Sequence, residues 1–293
     1  MSADPIASDS RRPVKKSDTG KRLAIGGQHG LLILASLMFL VPFWWMLISS
    51  LKSNTEIFAR PIEWLPTPAR WSNYKDAWDY PGFPYLRLLW NSIYFSGLTT
   101  LGTVMSSAIV GYGFARFRFP GRGALFGITV ATMIIPGVVT FIPTYILFKN
   151  VGLLGSYAPL IAPAFFGSAF NIFLMRQFFL GLPKDLPDSA RLDGANELRI
   201  FWQIMLPLVK PALVVVAVFT ILGTWNDFFG PLIYLSNRDS YPLSLGLFSF
   251  RAQRSTEWAM LMSASVLVTI PMIIMFIFSQ KYFVTGIKMT GIK

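Results

Sequence analysis

Long runs of residues without a charged side chain organise this chain. They cover residues 23–51, 88–115, 123–148, 150–175 and 258–280. Each exceeds the roughly 20 residues that an α-helix needs to cross about 30 Å of hydrocarbon. A sixth run, 211–235, is interrupted only by Asp227. None alternates apolar and polar residues over about 10 positions, as the strands of a membrane barrel would. The pattern predicts six transmembrane helices, at residues 31–51, 90–114, 124–146, 158–180, 210–234 and 258–282.

The composition supports an all-α integral membrane protein. Apolar residues make up 53% of the 293 residues and charged residues 14%, whereas a soluble domain averages about 25% charged residues. The chain has no Cys and a single His, His29. This argues against disulfides, a thiol nucleophile and a metal site built from Cys or His. The net charge of +12 lies between the apolar runs, so it indicates topology and not nucleic-acid binding.

The distribution of Lys and Arg predicts the orientation in the membrane. One side would carry seventeen of these residues and the other nine, and the more basic side is normally cytoplasmic. Both termini are therefore predicted to be cytoplasmic, with residues 1–30 and 283–293 as tails. Residues 52–89 would form an extracytoplasmic loop and residues 90–282 the core domain.

Prolines interrupt several of the predicted helices. Pro136 and Pro143 lie seven residues apart in the third helix, on one face if that helix is continuous, and Pro159 and Pro163 open the fourth. The backbone groups that proline frees must find partners in neighbouring helices or in water. The helices therefore either surround a wet cavity or are ordinary kinked helices in a tight bundle.

Small residues recur every four positions in the second predicted helix, at Thr103, Ser107, Gly111 and Ala115. Such a stripe lets another helix approach closely. It predicts a helix–helix interface, either within the chain or with a partner.

Asp227 is the one acidic residue inside a predicted span. Carboxylates within a membrane are costly and often functional, so Asn226 and Asp227 are candidates for a translocation pathway. The alternative is that Asp227 marks the outer end of the fifth helix, where both side chains would satisfy loop backbone groups.

The segment 181–209, between the fourth and fifth predicted helices, carries helix signals of its own. Pro187 followed by Asp188 suits a first helical turn. Gly194 suits a left-handed closing residue, and Asn196 suits the N-cap of a second helix. Two short cytoplasmic helices around a glycine are predicted.

The second of these helices, at 197–205, has an apolar stripe made by Ile200, Phe201 and Ile204, and Pro207 is expected to end it. A helix pair with one apolar side would either lie on the membrane or dock into a groove of a partner.

Motifs for catalysis are missing from the sequence. It contains no G-x-x-x-x-G-K-[ST] loop, no H-E-x-x-H and no G-x-S-x-G. The chain is therefore not expected to bind ATP in the P-loop manner, and an intramembrane enzyme is disfavoured.

Three strings within 181–209 carry a family resemblance: Asp188-Ser189-Ala190, Asp193-Gly194 and Ile204-Met205-Leu206-Pro207. They resemble the "EAA" loop of ABC-importer permeases, whose usual form is E-A-A, then a glycine, then I-x-L-P. Asp188 and Ser189 depart from the first Glu and Ala but keep an acid and a small residue. The segment Leu192-Asp193-Gly194-Ala195 is typical of carbohydrate-type permeases.

Other strings outside residues 1–30 fit the same family. They are Asn91-Ser92, Gly111-Tyr112-Gly113-Phe114-Ala115-Arg116, Ile135-Pro136, Ile142-Pro143, Trp225-Asn226-Asp227-Phe228 and Thr290-Gly291-Ile292-Lys293. Together they resemble the six-helix subunit of the maltose-transporter-like (carbohydrate uptake) permeases.

The resemblance implies a type I ABC-importer permease fold in a bacterial or archaeal cytoplasmic (inner) membrane. The partners would be a homologous permease, two ABC ATPase subunits and an extracytoplasmic binding protein that delivers a sugar or oligosaccharide. ATP and Mg²⁺ would bind to the ATPases, so this chain would hold no cofactor and would not be an enzyme. The ATPase-docking residues would be Asp188, Ser189, Ala190, Asp193, Gly194, Ala195, Ile204, Leu206 and Pro207.

Two other classes of function compete with this interpretation. A secondary transporter predicts ion-coupling charges at mid-membrane, where only Asp227 qualifies, and usually more helices. A membrane scaffold has no need for broken helices or a patterned docking loop. Among substrates, sugars are expected, and glycerol phosphodiesters and similar polyols are the main alternative.

Overall fold

The computed structural model describes residues 18–251 and 256–290, with side chains for 25–251 and 256–282. In these ranges the regular secondary structure is helical, apart from a single antiparallel bridge between Arg251 and Thr256. The α-helices are α1 (Asp18–Ser50), α2 (Asn54–Ile57), α3 (Ser72–Trp78), α4 (Tyr85–Arg116), α5 (Arg122–Ala131), α6 (Gly137–Asn150), α7 (Ala158–Ile161), α8 (Ala169–Gly181), α9 (Asp185–Leu192), α10 (Glu197–Arg199), α11 (Leu206–Leu208), α12 (Lys210–Trp225), α13 (Phe229–Tyr234), α14 (Leu243–Gly246) and α15 (Trp258–Thr290). A π-helix covers Ile200–Met205, and 3₁₀ turns cover Thr132–Ile134, Ala162–Phe166, Arg238–Ser240 and Leu247–Phe250.

Within the described ranges, four helical segments are long and apolar enough to cross a membrane: Ile25–Ser50, Tyr85–Arg116, Ala158–Gly181 and Trp258–Tyr282. Two bent pairs would bring the number of spans to six. They are Arg122–Ile134 with Gly137–Asn150, and Glu197–Leu208 with Lys210–Trp225. The prediction of an all-α membrane protein is confirmed.

The third predicted helix, 124–146, is wrong as a single element. The chain bends by 100° between the two halves of this region. Pro136 is the cause, because a residue that precedes proline is driven out of the helical conformation, and Ile135 is indeed extended, with φ −75° and ψ 116°. Pro136 precedes α6 and only Pro143 lies inside it, so the two prolines do not share one helix face.

The fifth predicted helix, 210–234, is also interrupted. Helix α12 ends at Trp225 and α13 begins at Phe229. Asn226 and Asp227 occupy the gap, where their polar side chains compete for backbone hydrogen bonds. Asp227 therefore lies between two helices and not inside one.

Pro207 does not end the second loop helix, contrary to the prediction. Helical structure continues through Leu208, by way of the π-helix and α11. A π turn is one of the ways in which a helix absorbs the loss of an i→i−4 bond. The helix ends at Val209, and the chain turns by 77° into α12.

Several other bounds differ from the predicted ones. Helix α1 begins at Asp18, so residues 18–30 are helical and not a tail, and α4 begins at Tyr85, inside the predicted loop 52–89. Residues 283–290 continue α15. Hydropathy locates the stretch that suits hydrocarbon, but a helix continues until a breaker or a cap ends it. Residues 1–17 and 291–293 lie outside the described residues.

Helix α4 is the centre of the bundle and packs against α8 and α12. The stripe of Thr103, Ser107, Gly111 and Ala115 is buried. A Cβ atom added at Gly111 would lie 2.8 Å from the Cβ of Met175 and 3.0 Å from the backbone nitrogen of Arg176, both in α8. The predicted helix–helix interface is therefore confirmed, and it lies within the chain.

An apolar cluster surrounds the N-terminal end of α4. It includes Phe83, Leu88, Leu243 and Phe250, all buried. Asn91 and Ser92, near the start of α4, hydrogen-bond to the segment 239–243. Asn91 Nδ2 donates to the carbonyls of Asp239 (2.8 Å) and Tyr241 (2.9 Å), and Ser92 Oγ accepts from the backbone N–H of Leu243 at 2.8 Å.

Helices α1, α5 and α6 lie at the periphery and expose large apolar side chains. Met38 and Phe39 of α1 are more than three-quarters exposed. No residue of α5 or α6 is buried. Such surfaces suit lipid or another membrane helix.

Candidate functional site

The segment 181–209 folds as a hairpin of two short helical elements joined at Gly194. We call residues 185–208 the loop hairpin. At its turn the N–H of Ala195 donates to the carbonyl of Ala190 (2.9 Å), and the N–H of Gly194 donates to that of Arg191 (3.0 Å). These two bonds form a Schellman motif. It requires a left-handed residue, and Gly194 has φ +81°, as the sequence predicted.

The second element begins with a side-chain cap. Asn196 Oδ1 accepts from the backbone N–H of Arg199 at 2.8 Å, which satisfies one of the free donors at the start of a helix. The prediction that Asn196 is an N-cap is confirmed.

Arg191 links the two elements across the turn. Its Nη1 lies 2.5 Å from Asp188 Oδ1 in the same helix. Its Nε and Nη2 donate to the two carboxylate oxygens of Glu197, at 2.6 and 3.3 Å. The hydrogen bond to Glu197 raises the pKa of Arg191, and this fork-like pairing favours one relative orientation of the two elements. The sequence interpretation missed both residues, although an Arg and a Glu on either side of a turn glycine are a visible signal.

The apolar side of the loop hairpin faces the chain's own bundle. Ile200 and Met205 are fully buried, and Phe201 is nearly so. The ring of Phe201 lies 5.1 Å from that of Tyr112 in α4. Ile200 and Phe201 therefore pack within the chain, and Ile204 is partly buried against the same cluster, so the apolar stripe mainly faces the bundle. The amphipathic pattern could not distinguish a partner's surface from the chain's own.

The nine candidate docking residues divide into two groups. Ala190, Ala195, Ile204 and Leu206 belong to the packed base of the hairpin. Asp188, Ser189, Asp193, Gly194 and Pro207 are exposed.

Two leucines that are not among the predicted docking residues dominate the exposed tip. Leu192 is 90% exposed and Leu198 71%. Each lies within four residues of Gly194, on opposite sides of the turn. Trp202 is half exposed on the second element. Large apolar residues that are exposed together on one surface mark interaction sites.

Arg116 joins the base of the hairpin to the central helix. It ends α4, and its Nη2 donates to the carbonyls of Phe179 (2.6 Å) and Leu182 (2.8 Å). These carbonyls lie at the C-terminal end of α8, where helix carbonyls lack partners. The start of the loop is thereby held to the end of α4.

Asn226 and Asp227 lie far from this hairpin along α12. Asn226 Nδ2 donates to the carbonyl of Leu222 at 2.8 Å, and Asp227 Oδ1 accepts from the backbone N–H of Gly230 at 3.0 Å. Both side chains therefore bond to backbone groups at a helix break. The pathway role stays a prediction.

These features define a class of protein: a helical membrane protein with several spans, whose central helix is tied to an exposed two-helix hairpin. The model of the family "binding-protein-dependent transport system inner membrane component" matches residues 98–289. The chain belongs to this family of inner membrane transport components.

Two curated relatives extend the match to most of the chain. The chain is 36% identical over 263 residues to the arabinooligosaccharides transport system permease protein AraQ of Bacillus subtilis, covering 89% of this chain and 93% of the relative. It is 32% identical over 265 residues to the sn-glycerol-3-phosphate transport system permease protein UgpE of Yersinia enterocolitica, covering 88% and 94%.

Solved structures match the fold. One chain of a bacterial ABC transporter involved in the import of the acidic polysaccharide alginate superposes with a TM-score of 0.79 at 24% identity, covering 91% of this chain and 98% of that one. A chain of the alginate transporter in complex with its alginate-bound periplasmic protein superposes at 0.65 and 14% identity, covering 88% and 94%. The type I ABC-importer permease fold is thereby confirmed.

Proposed function

We propose that this chain is the permease subunit of an ATP-driven importer. With a second, homologous permease it forms the membrane pathway for a sugar or oligosaccharide that a binding protein delivers. One structural observation carries the proposal: the loop hairpin has its base buried in the bundle and its tip exposed. This geometry suits transmission of a partner's movement to the membrane helices.

The tip of the hairpin docks into a groove of an ABC ATPase subunit in this proposal. Leu192 and Leu198 supply the apolar anchors, and Asp188, Ser189, Asp193, Gly194 and Pro207 surround them. The packed residues do not contact the ATPase but hold the hairpin against the bundle. They are Ala190, Ala195, Ile204 and Leu206. A movement of the tip then reaches α4 through the buried rings and through Arg116.

The partners supply the chemistry. ATP and Mg²⁺ bind to two ATPase subunits, and this chain is neither an enzyme nor a cofactor-binding protein. Support comes from family membership and from the sequence, which has no phosphate-binding loop.

The relatives support a carbohydrate or polyol substrate. One is named for arabinooligosaccharides and another for sn-glycerol-3-phosphate. We propose a sugar or oligosaccharide as the substrate, because the relative with 36% identity is named for arabinooligosaccharides.

We also propose that Asn226 and Asp227 belong to the translocation pathway.

Purification from the native membrane tests the function. In mild detergent, the chain should bring with it a second permease of the same family and two ATPase subunits, identified by mass spectrometry. The complex should hydrolyse ATP, and the isolated chain should show only background hydrolysis. Isolation with an ion-coupled transport activity and no ATPase would favour a secondary transporter. Isolation without either activity would favour a scaffold, and both results would contradict the proposal.

Gly194→Val should uncouple ATP hydrolysis from uptake. A Cβ at Gly194 meets no atom within 4 Å, so the cost is the left-handed backbone alone, about 1–2 kcal/mol. This strain is small compared with the stability of the whole bundle. It acts, however, at the turn that sets the angle between the two helical elements. The expected result is normal insertion with reduced ATPase retention, measured by co-purification and uptake in the same membranes.

Two controls accompany this variant. Gly194→Asn should behave almost like the native chain, because Asn tolerates the left-handed conformation. Gly181→Val places the same side chain in open space at the end of α8, before the loop hairpin and without positive φ, and should also retain the ATPase. If all three variants showed the same ATPase retention and uptake, the left-handed conformation of Gly194 would have no role in coupling.

Both termini should lie in the cytoplasm, and residues 52–84 and 235–257 outside. The chain has no native Cys, so a cysteine at the exposed Ser72 gives a unique label. An impermeant maleimide added from outside should label Ser72→Cys, and it should label Ser189→Cys only after the membrane is opened. The reverse pattern would refute the orientation.

A further inference from the structure

A basic cavity lies beside the loop hairpin, where three membrane helices end. It has a volume of about 410 Å³ and lies among the end of α4, the start of α5, the end of α8 and the start of α9. Six charged side chains line it: Arg116, Arg118, Arg122, Lys184, Asp188 and Arg191.

The positive charge of this cavity is largely unbalanced. Asp188 is the only acid in the lining, and it pairs with Arg191. The described hydrogen bonds of Arg116 and Arg122 go to neutral backbone carbonyls. The side chains of Arg118 and Lys184 have no hydrogen bond or ion pair with any residue that the structure describes. Several cations around one concavity create a strong local attraction for anions.

The surroundings of the cavity are apolar and suited to lipid. Phe117, Phe119, Leu125 and Leu180 lie close by in the chain and are exposed. Helix α5, which starts at the cavity, buries none of its residues. A ligand with an anionic head and long apolar chains matches both the cavity and this flank. A soluble anion or an acidic protein segment would leave the apolar flank uncovered.

We propose that this cavity binds the headgroup of an anionic phospholipid, with the acyl chains along α5. The phosphate contacts Arg118, Arg122 and Lys184, which do not pair with an acid in the described structure. Basic pockets between the ends of membrane helices are suited to such headgroups. Because Asp188 and Arg191 also line the cavity, the lipid lies against the first element of the loop hairpin. An effect of the lipid on ATPase docking rests on the proposed function, because it requires the loop hairpin to dock an ATPase. The lipid site itself does not rest on that function.

Native mass spectrometry of the purified complex, titrated with phosphatidylglycerol or phosphatidylcholine, tests the proposal. The variant Arg118→Gln/Lys184→Gln removes two cations that make no described bond, so the fold should be unaffected. The native protein should prefer phosphatidylglycerol. The variant should bind it roughly 25-fold more weakly, about fivefold for each basic side chain. The control Lys210→Gln/Lys281→Gln removes the same charge next to Tyr282, outside the cavity, and should bind normally.

Three results would overturn the proposal. The first is native-like binding of phosphatidylglycerol by the cavity variant, and the second is equal binding of the two lipids. The third is binding of inorganic phosphate, without lipid, as tight as that of phosphatidylglycerol, which would indicate a soluble-anion site. ATPase retention is measured in the same samples. Loss of the ATPase with unchanged lipid binding would mean that the cavity receives an acidic protein segment instead, and loss of the ATPase from every sample would count against the proposed function.

Discussion

Gly111→Val is expected to prevent accumulation of the protein in the membrane. The new Cβ would meet Met175 Cβ at 2.8 Å and the backbone nitrogen of Arg176 at 3.0 Å, and backbone cannot move aside as a flexible side chain can. Overpacking of this kind costs about 1–3 kcal/mol or more. The strain falls where α4 lies directly against the backbone of α8. Immunoblots of membrane fractions and a thermal-stability assay in detergent would measure the loss.

Gly113→Val is the matched control for this prediction. It places the same side chain two residues further along α4, where an added Cβ meets no atom within 4 Å. The control should accumulate normally. If both variants accumulated equally well, the close packing of α4 on α8 would not determine the stability of the bundle.

The double substitution Leu192→Asp/Leu198→Asp is expected to remove the ATPase from an otherwise intact permease. Both leucines are mostly exposed, so charged residues at these positions cost the fold little. At a docked interface each would bury an unpaired carboxylate. If the pair acts as a hot spot of the interface, its loss costs about 2 kcal/mol or more, and the affinity falls by at least about 30-fold. Co-purification and substrate-stimulated ATP hydrolysis would show the change.

Leu65→Asp is the control for the leucine pair. Leu65 is 64% exposed and Leu198 71%, but Leu65 lies in the loop predicted to be outside the membrane. This variant should keep the ATPase. Retention of the ATPase by the Leu192/Leu198 variant would show that the tip is not the docking surface.

The local rules of helix formation predicted the loop hairpin well. Gly194 and Asn196 act as the sequence indicated, because a left-handed glycine and a side-chain cap depend on residues within four positions. The small-residue stripe of α4 was also recognised, although the sequence could not say which helix packs on it. The fold of the whole chain and its partners cannot be predicted from local rules, and they were predicted from the resemblance to a permease family.

Hydropathy alone failed at the breaks. It reports how apolar a stretch is and not which backbone bonds are made, so the kink at Pro136 and the gap at Asn226 were treated as interior positions of spans. The apolar stripe of Ile200 and Phe201 was assigned to a membrane or partner surface for a related reason. Burial depends on what the fold brings against a helix, and Tyr112 is 89 positions away from Phe201 in the chain. Leu192 and Leu198 were not predicted as docking residues, because hydrophobic periodicity does not show which leucines a turn leaves exposed.

The central claim, that the tip of the loop hairpin docks an ABC ATPase, can be tested directly by site-specific cross-linking. The chain has no native Cys, so Leu198→Cys can carry a single photoreactive benzophenone in native membranes. Illumination should join the chain to one partner, identified by mass spectrometry as a protein with a phosphate-binding loop, and the same probe at Leu65 should not produce this product. A probe at position 198 that cross-links only to lipid, or to no protein with such a loop, would contradict the claim.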